Sequence, residues 1–154
     1  MSATSQPKPI LVLDENFPEP LVAAVLQVAT PSLQLVSWKS VGGQVGGIDD
    51  AALVRELTRL GYNALVTCDH HMLTNPDVLH EMKQANFTVI GCKDVGHDPV
   101  RATGLLLYNL DHISVHYRAD APQPWLLASK QSSPRDFHKH VTDLETKLGR
   151  KVKI

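Results

Sequence analysis

Aliphatic runs alternate along the chain with stretches in which apolar residues recur every three or four positions. Ile10-Leu-Val-Leu13, Leu33-Gln-Leu-Val36, Ala64-Leu-Val-Thr67 and Phe87-Thr-Val-Ile90 are short and nearly continuous, the pattern of strands buried on both faces. Between them, Leu21, Val22, Val25, Leu26 and Val28 follow Pro18 and Pro20 at helical spacing, and proline is tolerated in a first helical turn. Leu53, Val54, Leu57 and Leu60 mark an amphipathic helix from Asp50, with Gly61 as its stop. Asn75-Pro76 opens another helix to Ala85. A helical stretch over Pro99–His112, a short strand over Trp125–Ala128 and a charged helix over Pro134–Leu148 complete the chain. This succession predicts an α/β fold. A single three-layer domain holds a mostly parallel central sheet, with helices on both faces and right-handed crossovers, because parallel strands need long connections.

At 154 residues the chain suits one compact core. The pattern divides it into a flexible N-terminus 1–9, a folded domain 10–148 and a basic C-terminal tail 149–154. Fifteen Lys+Arg against sixteen Asp+Glu give a net charge of −1, which excludes a polycation coating nucleic acid and makes any such contact local. No apolar run approaches the roughly 20 residues that cross a bilayer, and the start has no apolar signal core. A cytoplasmic protein without a membrane partner is expected. Cys68 and Cys92, 24 residues apart without CxxC spacing, make neither a disulfide framework nor a zinc knuckle and are expected as buried free thiols.

Candidate chemistry lies where strands end. Asp14 and Asp69 each follow an aliphatic run, and in a parallel sheet ligands gather outside the carboxyl ends of the strands. If the two strands are neighbours, the backbones are about 4.8 Å apart and the carboxylates share one site. Carboxylates that close repel, so one takes up a proton or a cation sits between them, and hard oxygen ligands favour Mg²⁺ or Mn²⁺. Asp49 and Asp50, after the glycine-rich Gly42-Gly43-Gln-Val-Gly-Gly47, offer a third ligand; Asp49 is equally suited to capping the helix that follows, Asp50 less so. Asp14-Glu15-Asn16 also reads as a polar strand exit.

The segments Leu13-Asp14-Glu15-Asn16-Phe17-Pro18, Asp50-Ala-Ala-Leu53-Val54 before Gly61, and Leu65-Val66-Thr67-Cys68-Asp69 together resemble the PIN-like domains, the small relatives of PIN nucleases and VapC toxins, over residues 10–92. The resemblance implies a metal-dependent endoribonuclease, the toxin of a toxin-antitoxin module, with a PIN-like fold over 10–148. It implies Asp14, Asp50 and Asp69 as catalytic, metal-holding acids, with Asp49 as a substitute ligand and Mg²⁺ or Mn²⁺ as cofactor. Its implied partners are RNA, a cognate antitoxin protein and a second copy in a homodimer.

The chain departs from the pattern at His71, where many relatives carry a second Asp; imidazole ligates Mn²⁺ or serves as a base, but suits Mg²⁺ poorly. Glu15 and His71 are accessory candidates, while His70 and His71 read equally as a polar loop pair. An acidic centre needs a basic rim to hold RNA. Arg55, Arg59, Arg101, Lys130 and Arg135 are its candidates, and Trp38, Tyr62 and Trp125 the stacking candidates, Trp125 being better suited to the core. Two other readings stay open. A phosphoryl-accepting receiver-like domain would use Asp14, Glu15, Asp69 and Lys130, although Gly91-Cys92 stands where receivers keep Ser or Thr. A non-catalytic PIN-like interaction module is favoured by His71.

Overall fold

The computed structural model describes residues 8–17, 19–28, 33–43, 45–95, 98–128 and 133–154. Strands β1 (Ile10–Leu13), β2 (Gln34–Ser37), β3 (Ala64–Thr67), β4 (Thr88–Cys92) and β5 (Gln123–Leu127) form one sheet in the order β2-β1-β3-β4-β5. Every pairing is parallel, so the expected mostly parallel sheet is wholly so. Helices α1 (Glu19–Val28), α2 (Asp50–Arg59), α3 (Pro76–Ala85), α4 (Pro99–His116) and α5 (Phe137–Leu148) cover it. None of the described helices is long and apolar enough to cross a membrane.

The two-residue period of a strand separates two cores. Leu11, Leu13, Val66 and Ile90 pack with Val22 and Val25 of α1 and Ala102, Leu106, Leu110 and Ile113 of α4. The intervening Val12, Leu65 and Val89 pack with Val54 and Leu57 of α2, Leu79 and Met82 of α3, and Phe137 and Val141 of α5. These are the three layers expected from the alternation. α4 runs to His116, about one turn beyond the expected end at His112, and Ile113 continues its buried stripe.

Two boundaries near the C-terminus also move. β5 starts at Gln123 rather than Trp125: the buried Gln123 amide is satisfied by the Arg118 N–H and the His116 carbonyl, and Pro124 is tolerated on an edge strand. α5 begins at Phe137 rather than Pro134, because Asp136 caps it by accepting from the Lys139 N–H. Residues 149–154 are not a detached basic tail. Val152 is buried and donates its N–H to Glu145, and Ile154 packs on the α2-side core. Most of the expected flexible N-terminus, residues 1–7, lies outside the described residues.

The faces also assign the hands of the crossovers. β1-α1-β2 steps one way with α1 on one face; β2-α2-β3 and β3-α3-β4 step the other way with their helices on the opposite face. Those three share one hand. β4-α4-β5 keeps the direction of β3-β4 but places α4 back beside α1, so its hand is reversed. The uniform right-handed crossovers expected from the sequence therefore fail at the last unit, where α5 occupies the face that α4 leaves.

The strand order opens one crevice at the carboxyl edge, between β1 and β3, and the reversal adds a second between β3 and β4, since at each the two chains leave for opposite faces. A short 3₁₀ helix, His70–Thr74, packs on the end of β4 and fills the second. It fits because Gly91 has no side chain: a Cβ there would lie 2.9 Å from His70 Cα. Gly91→Ala should lower stability by about 1–3 kcal/mol through overpacking. Gly104→Ala in α4, where a Cβ meets nothing within 4 Å, should raise it by about 0.5–1 kcal/mol. Urea denaturation followed by tryptophan emission checks both signs.

Candidate functional site

The crevice between β1 and β3 is the topological switch point of this strand order. Leu13 pairs with both Ser37 of β2 and Val66 of β3, so the next positions, Trp38, Asp14 and Thr67, form a row across three strand ends. All three point to the α2 side by alternation. A cavity of about 60 Å³ opens there, walled by Asp14, Glu15, Asn16, Asp50, Thr67 and Asp69 over an apolar floor that includes Val12, Leu57 and Leu65. Four acids, Asp14 and Glu15 after β1, Asp50 at the start of α2 and Asp69 after β3, thus line one cavity.

Asp14 is only 5% exposed. Its Oδ1 accepts from the Asn16 N–H at 3.0 Å and its Oδ2 from the Asn16 amide at 3.4 Å, and the Thr67 side chain hydrogen-bonds it as well. Burial outweighs these bonds and pushes the carboxyl up from 3.8 to about 6, with Glu15 adding a small repulsion. Thr67 Oγ1 also accepts from the Asp69 N–H at 3.0 Å, so one buried hydroxyl links the two strand-end acids. Asp50 is held above the ordinary carboxylate range, first by partial burial and then by the nearby Asp69 and Asp49.

The site separates Asp50 from Asp49. Asp49 is exposed, caps α2 through the Ala52 N–H at 2.9 Å and does not line the cavity. Asp69 is exposed and caps the 3₁₀ helix, its Oδ1 accepting from the His71 N–H at 2.9 Å. His71 is exposed, stacks against His70 with ring centroids 4.4 Å apart, and lies off the cavity wall. Glu15 is exposed on the rim. The donor set is hard oxygen, suited to Mg²⁺ or Mn²⁺. Yet among the described residues no three His, Cys, Asp or Glu side chains converge as a metal's coordination sphere requires: Asp14 and Asp69 each turn an oxygen to a local N–H.

The basic candidates scatter. Arg55 pairs with Glu81 at 2.8 Å and Arg59 with Glu56 at 2.6 Å. Arg101 rides on α4, across the sheet from the cavity. The Arg135 N–H bonds the Pro124 carbonyl near the start of β5, the opposite end of a strand two places from β3. Lys130 lies outside the described residues. Cys92 is buried and Cys68 half-buried, both free, and burial pushes both thiols up to about 12. Neither is a thiolate nucleophile at neutral pH.

Thr67 and Asn16 escaped the reading of the sequence as site residues. Their signal was present: Thr67 shares its face with Asp69 at a spacing of two, and Asn16 is two residues after Asp14, the reach of an Asx turn. Compared with family models, curated proteins and solved structures, the chain matches none.

The gap between about 6 and 3.8 at Asp14 corresponds to roughly 3 kcal/mol. Between these values the folded state binds more protons than the unfolded one. That stability is fully present below 3.8 and is lost as pH rises through about 6. Asp14→Asn keeps an acceptor for Asn16 and removes the buried charge. Its melting temperature should exceed the wild type's by several degrees at pH 7.5, and the difference should shrink toward pH 4. Scanning calorimetry at both pH values measures it.

Proposed function

We propose that the protein is a metal-dependent endoribonuclease of PIN-like type, acting as the toxin of a toxin-antitoxin pair in the cytoplasm. The observation that carries this reading is the meeting of Asp14, Asp50 and Asp69 on one small cavity at the β1/β3 switch point. A buried carboxyl held at about 6 and a second raised by partial burial and then by its acidic neighbours are what a divalent cation would relieve. Mg²⁺ or Mn²⁺, when bound, would supply an activated water and shield charge on a phosphodiester. The chain's own part is placement. Thr67 and Asn16 fix Asp14, and the Thr67 hydroxyl ties the Asp69 backbone to the same point. Asp50 enters from the first turn of α2, leaving Asp49 to cap the helix. The cavity's volume of about 60 Å³ holds a cation with a few waters, so RNA would approach from its mouth.

One observation favours a second reading, a non-catalytic PIN-like module: the carboxylates do not converge on a common point. A receiver-like phosphoryl acceptor shares the strand order, but the end of its fourth strand would carry Ser or Thr where Gly91 admits His70.

Asp14→Asn and Asp69→Asn should each cut Mn²⁺-dependent cleavage of a labelled single-stranded RNA by about a hundredfold or more, while Asp49→Asn retains most of it and keeps the helix cap, since an Asn side chain accepts the Ala52 N–H as Asp does. Calorimetric titration with Mn²⁺ should show binding to the wild type that Asp14→Asn loses. Absence of binding at millimolar metal selects the non-catalytic module, and a base-labile mass gain from acetyl phosphate selects the receiver.

A further inference from the structure

We infer that Trp38 is a stacking platform for a nucleobase, placed one strand away from Asp14 so that a nucleotide on the indole presents its phosphate to the acidic cavity. The inference rests on the ribonuclease reading and adds the ligand's chemical class and a residue that binds it. Its first support is register. Leu13 pairs with Ser37 at the ends of β1 and β2, so Asp14 and Trp38 leave neighbouring strand ends at the same level, Trp38 opening the short 3₁₀ turn Trp38–Ser40, and both line the acidic cavity.

The second support is space. A cavity of about 410 Å³ is walled by Trp38, Lys39, Gly42, Gly43, Val45 and Gly46, and it shares Trp38, Val45 and Ile48 with the acidic cavity. The smaller cavity has room for an ion and water, whereas the larger has room for a base and sugar. Gly42, Gly43 and Gly46 are among the residues lining it. A Cβ at Gly46 would lie 2.9 Å from the indole; at this position only the absence of a side chain leaves the loop its closeness to the ring.

Chemistry is the third support. An indole offers a π-face to any base, which gives sequence-tolerant binding. The Lys39 ammonium lies over the indole, 5.6 Å from the ring centroid, so a base stacking on that face has to displace it, which its flexible stem allows. Trp125 offers no such face, being fully buried between β4 and α4. A half-buried tryptophan suits the flat aromatic part of a nucleotide, while a phosphate beside these carboxylates would need the cation of the ribonuclease reading to offset their charge.

Uncharged nucleosides in EDTA isolate the stacking step from the metal. With the ¹⁵N-labelled protein, adenosine or uridine at millimolar concentration should shift the Trp38 indole N–H signal and leave that of Trp125 in place. A labelled hexaribonucleotide should bind Trp38→Ala roughly 5- to 100-fold more weakly than wild type, with Trp38→Phe recovering most of the loss. Mn²⁺ binding should be the same in all three proteins. An unmoved indole signal on nucleoside addition, or hexanucleotide affinity unchanged in Trp38→Ala, overturns the platform. Loss of Mn²⁺ binding in the wild type would instead overturn the metal reading. The wild-type titration stands even if Trp38→Ala fails to fold.

Discussion

The parallel pairing of β1 with β3 is the constraint on which the site depends. It puts Asp14 beside Thr67, it makes the strand ends diverge to opposite faces, and it buries a carboxylate where only a few hydrogen bonds support its charge. A carboxylate in that position costs stability at neutral pH, and a fold retains such a cost most readily where the group has work to do. Thr67 is the hinge of the arrangement. Its hydroxyl spans from the Asp14 side chain to the Asp69 backbone, so the two strand-end acids are positioned by one buried group rather than by separate loops.

Around that pairing, small residues decide how closely segments approach. Gly91 lets the His70–Thr74 turn settle on β4, and this holds Asp69 at the edge of the cavity instead of over the second crevice. Gly46 brings the loop against Trp38. α5 contributes at longer range: the His140 Nε2 hydrogen-bonds the Leu73 carbonyl, with Nδ1 facing Arg135, so the C-terminal helix is tied to the turn that begins at the Asp69 cap. The candidate site therefore draws on most of the chain, although the acids themselves come from three short stretches.

Electrostatics give the same picture from another direction. The overall charge is nearly balanced, and the basic side chains proposed as a rim are spent elsewhere: Arg55 and Arg59 pair with glutamates, while Arg101 and Arg135 sit on other parts of the surface. On the proposed reading, attraction for an RNA backbone would come mainly from a cation held by the acids, with a stacked base supplying the remaining grip and less dependence on long-range steering than in a basic groove.

The sequence by itself determined the succession of elements, because strand and helix periods, N-caps such as Asp49 and Asp98, and the Gly61 stop act within a few residues of one another. It also determined that Asp14 and Asp69 end strands. Only the tertiary structure decided that those strands are neighbours, that Asp50 and not Asp49 reaches the cavity, that α4 crosses to the face of α1, and that Val152 and Ile154 join the core. Trp125, in the apolar run Trp125–Ala128, is buried as that run suggests, whereas Trp38, between Ser37 and Lys39, opens a 3₁₀ turn and stays half-buried. Neighbour choice in a parallel sheet is set by contacts between segments tens of residues apart, and no local period carries that information.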